Sequence, residues 1–124
     1  MSTLKVTNIQ ATGETASRSA EGVIAAYVHY DQVGTFEVRD SLNQSSTTDD
    51  GTGKATLNFT NNMADGYYGF LATMGNGSTG TGLSLCGPKT NDPSSSALRI
   101  EGTNYANTDA DRSFNCITAF GEMA

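Results

Sequence analysis

Asp49-Asp50-Gly51-Thr52-Gly53, followed by Lys54-Ala55-Thr56-Leu57-Asn58-Phe59-Thr60, decides the fold. The second run alternates strictly. Ala55, Leu57 and Phe59 fall on one face, and Lys54, Thr56, Asn58 and Thr60 on the other. That period of two is the pattern of a half-buried β-strand. The Asp-Gly pair before it supplies the positive φ that tight hairpin turns require. Working outward, Val23 to Tyr30 reads as an apolar strand with Ile24, Ala26, Val28 and Tyr30 on one face. Thr35 to Leu42 sets Phe36 and Val38 against Glu37 and Arg39, and Ser45 to Thr48 adds a short strand before the turn. Tyr67 to Met74 points Tyr68, Phe70, Ala72 and Met74 inward, and Leu83 to Cys86, Ala97 to Glu101 and Ser113 to Gly121 complete the set. No window supports a long helix. Short strands joined by polar turns predict an all-β fold, an antiparallel β-sandwich of jelly-roll-like form.

Composition agrees. The 124 residues suit one domain, 36% hydrophobic and 16% charged, with Gly, Ser, Thr and Asn filling much of the rest. Disorder is the rival reading of so polar a chain. The five Phe and five Tyr, set at strand-like positions, argue against it. Residues 1–22 differ in character from the rest of the chain. Leu4, Val6 and Ile9 make a small apolar stripe, and residues 10–22 are small and polar with no helical periodicity. The expected organisation is an extended N-terminal arm over 1–22, serving attachment or assembly, and a sandwich domain over 23–124.

Charge narrows function. The net charge is −6 and the seven Lys and Arg are scattered. A nucleic-acid surface needs a basic stripe, so no nucleic-acid partner is expected. The same charge disfavours anionic membranes, and no apolar run is long enough for membrane insertion. No secretory signal is legible behind Met1, which points to assembly in a cytoplasm, where Cys86 and Cys116 are expected as free thiols.

Each candidate for chemistry has a plainer explanation. His29 is the lone histidine and has no legible nucleophile or orienting carboxylate. Asn107-Thr108-Asp109-Ala110-Asp111 starts like a calcium loop, but Arg112 stands where that loop needs Gly, and no bidentate Glu follows at the right distance. Asp49 and Asp50 are adjacent in a turn and cannot face one another across a sugar. The Gly-rich stretch 75–82 lacks the Lys and helix of a phosphate loop. Asn43, Asn58 and Asn76 open glycosylation triplets that chance explains in so Ser/Thr-rich a chain. The chain is therefore expected not to be an enzyme and to hold no metal or cofactor. Tyr27, Tyr67, Tyr68 and Tyr105 suit interfaces or sugar stacking, and of the adjacent Tyr67 and Tyr68 one is expected to point outward.

The sequence also resembles a module of tail-fibre-like structural proteins of marine bacteriophages. That family reads aromatic-Val-x-aromatic, Arg-Asp-Ser-Phe-Asn, Thr-Asp-Asn-Gly-Thr-Gly, a strand ending Asn-Phe-Thr, then Met-Pro-Asp. Here the corresponding residues are Tyr27-Val28-His29-Tyr30, Arg39-Asp40-Ser41-Leu42-Asn43, Thr48-Asp49-Asp50-Gly51-Thr52-Gly53, Asn58-Phe59-Thr60 and Met63-Ala64-Asp65. Tyr27, Leu42, Asp50 and Ala64 replace the family's Trp, Phe, Asn and Pro. The resemblance covers about residues 23–70 and the opening Thr3-Leu4-Lys5-Val6. It implies a virion structural protein, a short tail fibre or fibre tip that mediates attachment to the host surface. Implied partners are other virion proteins of tail or capsid and a host-cell receptor such as a glycan. A homotrimer would help so polar a domain bury apolar surface. Receptor contact is expected on polar loops far from the arm, through Asn76, Ser78, Thr79, Thr81, Tyr105, Asn107 and Asp109. Leu4, Val6 and Ile9 would attach the arm to the virion. A capsid decoration or head-fibre protein is the alternative, and a carbohydrate-binding module a further one.

Overall fold

A computed structural model describes residues 6–9, 12, 18–19, 23–75, 85–88, 93–104 and 106–124. Backbone alone is described for Ile9, Arg18, Ser19, Leu85 and Cys86. The described residues form strands and turns without a helix. In chain order the strands are β1 (Asn8–Ile9), β2 (Arg18–Ser19), β3 (Ile24–Asp31), β4 (Glu37–Leu42), β5 (Gln44–Asp49), β6 (Lys54–Phe59), β7 (Gly69–Gly75), β8 (Leu85–Pro88), β9 (Ala97–Thr103) and β10 (Phe114–Phe120). Among the described residues, β1 pairs with β2 alone. The other eight make two antiparallel four-stranded sheets, ordered β4-β3-β10-β7 and β5-β6-β9-β8. The architecture is an all-β sandwich. Strands consecutive in the chain pair within one sheet as β3–β4, β5–β6 and β8–β9, and the jelly-roll detail of the expectation finds no support in this order.

The core lies between the sheets. Val28, Tyr30, Ile117 and Ala119 from the first sheet meet Ala55, Leu57, Phe59, Leu98 and Ile100 from the second, and all are buried. Phe59 packs edge-on to Tyr68, with ring centroids 5.7 Å apart. Phe36, Val38, Phe70 and Ala72 line the margin. Tyr67 is 94% exposed beside its buried neighbour, as their adjacency requires. Gly102 on β9 leaves room for Met74 of the opposite sheet, since an added Cβ would collide with its sulfur.

Three β-bulges correct the expected alternation. Ile24 is exposed, not aligned with Ala26, because Phe120 pairs with Ile24 and Ala119 with Ala26, which leaves Ala25 as the extra residue. Arg39 is extra in β4, between Asp40 opposite His29 and Val38 opposite Tyr30. Ser45 is extra in β5, and its hydroxyl donates to the carbonyls of Asn58 and Phe59. The turn between β5 and β6 is also longer than a two-residue hairpin. Lys54 N donates to Gly51 O at 2.8 Å and Asp50 N to Lys54 O at 3.0 Å, with Gly51 at φ 103° and Gly53 at φ 68°.

Candidate functional site

The sandwich has two ends with different contents. β3 begins next to the N-terminal segment and runs to Asp31. Just past it, Gln32 N donates to Arg112 O at 3.0 Å and Gln32 Nε2 to Lys54 O at 3.0 Å. The β5–β6 turn and the β9–β10 loop therefore sit at the end of β3 remote from residue 23. Gly75 closes β7 at that same end, opposite Phe114, and Leu85 opens β8 there, opposite Thr103. The near end holds the chain's C-terminal residues, where Met63 bridges Met123 and Ala64 N donates to Glu122 O.

The remote end is knitted by charge. Lys54 forms ion pairs with Asp109 and, at 3.2 Å, with Glu101. The Asp109 hydrogen bond first, then that of Glu101, holds the Lys54 ammonium above its ordinary pKa. Asp50 accepts from the Thr56 hydroxyl and lies 3.4 Å from Arg99 Nε. Asp111 accepts from Gly53 N at 2.7 Å, and Gly102 N donates to Gly53 O at 2.8 Å. Thus the β9–β10 loop clasps the β5–β6 turn. Asn104, Ala106 and Thr108 are tied locally: Asn104 Oδ1 accepts from Ala106 N and Thr108 N, and Asn107 turns at φ 58°.

Among the expected receptor residues, Asn107 is exposed at this loop's tip. Asp109 is instead engaged with Lys54 and bridges Thr103, so its first task is to hold the loop. Asn76, Ser78, Thr79, Thr81 and Tyr105 lie outside the described residues. Of the arm residues, Val6 is 48% exposed, Ile9 pairs in β1, and Leu4 lies outside the described residues. Among the described residues, no His, Cys, Asp and Glu group has the geometry of a metal site.

A second feature was not legible in the sequence: the outward faces of the two sheets differ. The β5-β6-β9-β8 face carries Lys54, Thr56, Asn58, Arg99 and Glu101, cross-linked by the ion pairs above and by Asn58 donating to Ser46 and Thr48. The β4-β3-β10-β7 face carries Leu42, Leu71 and Phe114, exposed at 47, 65 and 51%. The His29 and Phe114 rings lie 4.5 Å apart, tilted by 46°, and Arg39 lies 5.8 Å over the Phe114 ring while bonded to Asp31. The Tyr27 hydroxyl donates to Asp40 at 2.6 Å, which raises the Tyr27 pKa. The Cys116 thiol is free, half-buried on this face. In the chain's comparison with known proteins, no family model, curated protein or solved structure matches it.

Proposed function

We propose that this chain is a non-enzymatic bacteriophage virion protein, a short tail fibre or fibre tip that attaches to the host surface. The observation that carries the reading is the polarity of the sandwich. The segment expected to attach it enters at one end. The loops expected to touch a receptor leave from the other, with Asn107 exposed at the tip of one and Gly75 and Leu85 flanking the second. The residues of the resemblance meanwhile serve the framework. Asn43 turns the corner between sheets at φ 54° and bonds Asn61, and Asp49 accepts from Gly51 N in the turn. Phe59 fills the core. A framework built from such residues, with polar tips at one end, suits recognition without transformation. The proposed partners are other virion proteins through residues 1–22 and a surface receptor, such as a glycan, through the tips.

Labelling virions with an antibody to the folded domain tests the assignment. Label at the tail, together with competition of phage adsorption by purified protein, is the expected result. Label over the head would move the protein to capsid decoration, and absence of label from virions would end the reading.

A further inference from the structure

We infer that the remote end of the sandwich holds one internal water molecule, shared by the side-chain oxygens of Gln32 and Asn115. Gln32 is 4% exposed and Asn115 0%, and both are polar. Each spends its amide nitrogen on main-chain carbonyls. Asn115 Nδ2 donates to Arg112 O at 2.7 Å and to Tyr30 O at 3.2 Å, and Gln32 Nε2 donates to Lys54 O at 3.0 Å. These bonds fix which end of each amide is oxygen, since the reverse orientation would set oxygen against a carbonyl oxygen. Asn115 Oδ1 and Gln32 Oε1 are thereby left buried, and no donor among the described residues reaches either. Folded proteins satisfy such oxygens with a protein donor or with ordered water. The two amides belong to one neighbourhood, because Arg112 O accepts from Gln32 N as well as from Asn115 Nδ2. A water donating to both oxygens spans acceptors up to roughly 5.5 Å apart.

The chemistry of the two oxygens decides between water and a cation. Both belong to neutral amides. Asp109 is committed to Lys54 and Asp111 to Gly53 N, and among the described residues no His, Cys, Asp and Glu group could hold a metal ion. A cation here would be buried without a counter-charge, which costs far more than an unmade hydrogen bond. Water brings two hydrogens for two acceptors and no charge. Its position also gives it a task. Gln32 directly follows β3 in one sheet and reaches Lys54 of β6 in the other. Asn115 holds Arg112, where the β9–β10 loop rejoins β10. The water therefore ties the residue that braces the β5–β6 turn to the residue that braces the loop. It fastens from within the same two segments that Lys54 and Asp111 join at the surface. Asn107 is carried on the loop so braced.

The inference concerns the interior and stands or falls without the phage reading, because its test uses purified protein. A high-resolution crystal structure of the full chain should show one water within hydrogen-bond distance of both oxygens. In solution, deuteron and oxygen-17 relaxation dispersion of the unaltered protein should count it among the long-lived internal waters. Gln32→Met keeps the length of the side chain and removes its amide. That variant should lose one long-lived water, and the backbone amide hydrogen at position 32, which faces Arg112 O, should exchange faster. The measurements on the unaltered chain decide the matter even if the variant folds poorly. Oxygens packed dry against apolar atoms, or each bonded to a separate water with none shared, would overturn the inference. So would a cation, recognised by contacts of about 2.3–2.6 Å to both oxygens and by a rise in melting temperature on adding calcium. An unchanged water count in a folded Gln32→Met protein would overturn it as well.

Discussion

Gly51 and Gly53 are two residues apart in one turn, and the structure ranks their substitution by alanine in an order that backbone preference alone reverses. Gly51 has φ 103°, outside the left-handed region that L residues tolerate, and an added Cβ there meets open space. Gly53 has φ 68°, within that region, but its Cβ would lie 2.5 Å from Gly102 O and 2.8 Å from Ala110 N. Conformation alone makes Gly51→Ala the worse change, at about 1–2 kcal/mol. Packing makes Gly53→Ala worse. Backbone must move to admit the methyl, and the two bonds that tie the turn to the loop and to β9, Gly53 N to Asp111 and Gly102 N to Gly53 O, share that strained junction.

Losing a bond to a carboxylate costs about 1.5–3 kcal/mol and a neutral one about 0.5–1.5 kcal/mol. With about 1 kcal/mol of conformational strain, Gly53→Ala should cost about 3–5.5 kcal/mol in all. An unfolding entropy near 2.1 cal/mol/K per residue converts 1 kcal/mol to about 4 °C for a chain of 124 residues. Melting should therefore fall by about 12–22 °C for Gly53→Ala and about 4–8 °C for Gly51→Ala. Calorimetry and urea unfolding at one protein concentration measure both. A double-mutant cycle with Asp111→Ala should show coupling at Gly53 and none at Gly51. Equal losses, or a larger loss at Gly51, would refute the clasp.

Phe59, 5% exposed and packed on Tyr68, should cost about 3–5 kcal/mol on Phe59→Ala, read by urea midpoint; a near-native midpoint would remove it from the core. Deleting residues 1–22 should leave cooperative unfolding intact, because among the described residues β1 pairs with β2 alone; an insoluble or unfolded 23–124 chain would make the arm an integral part of the sandwich. Lys54 and Tyr27 both have pKa values raised above their ordinary values of 10.5 and 10.0, so each favours the folded state in its protonated form. Their contributions are complete below those values and are lost as pH rises through the higher folded-state values. Lys54→Met and Tyr27→Phe should each flatten the alkaline fall of stability, and an unchanged slope in both would deny the Asp109 and Asp40 bonds that cause the shifts.

The strand inventory is legible because burial on one face imposes a period of two, and β6 shows it without interruption. Legibility fails where a strand takes an extra residue. Nothing in Val23-Ile24-Ala25-Ala26 distinguishes a bulge at Ala25 from simple alternation, since alanine suits either face, and so alternation alone puts Ile24 on the wrong side. The turn shows a different limit. Both Gly51 and Gly53 are visible as turn residues, but only contact with a loop some fifty residues later makes Gly53 the more constrained, and sequence spacing carries no trace of that approach.

The same limit governs the candidate site. Loop composition marks Asp109 and Asn107 as polar and available, but availability depends on partners. Lys54 and Glu101 come from β6 and β9, and only the pairing of Lys54 with Glu101 brings them to Asp109. Asp109 is thereby spent on the loop's own closure, whereas Asn107, held at positive φ by its backbone bond to Asn104, keeps its side chain for solvent or ligand. The exposed apolar residues of the other sheet are hidden for the converse reason. Leu42, Leu71 and Phe114 each read as an ordinary strand residue in its own segment. They become one surface only because β4, β3, β10 and β7 are neighbours in that order. A face that carries residues 42, 71 and 114 together is a property of topology, and topology is what a single alternating sequence leaves open.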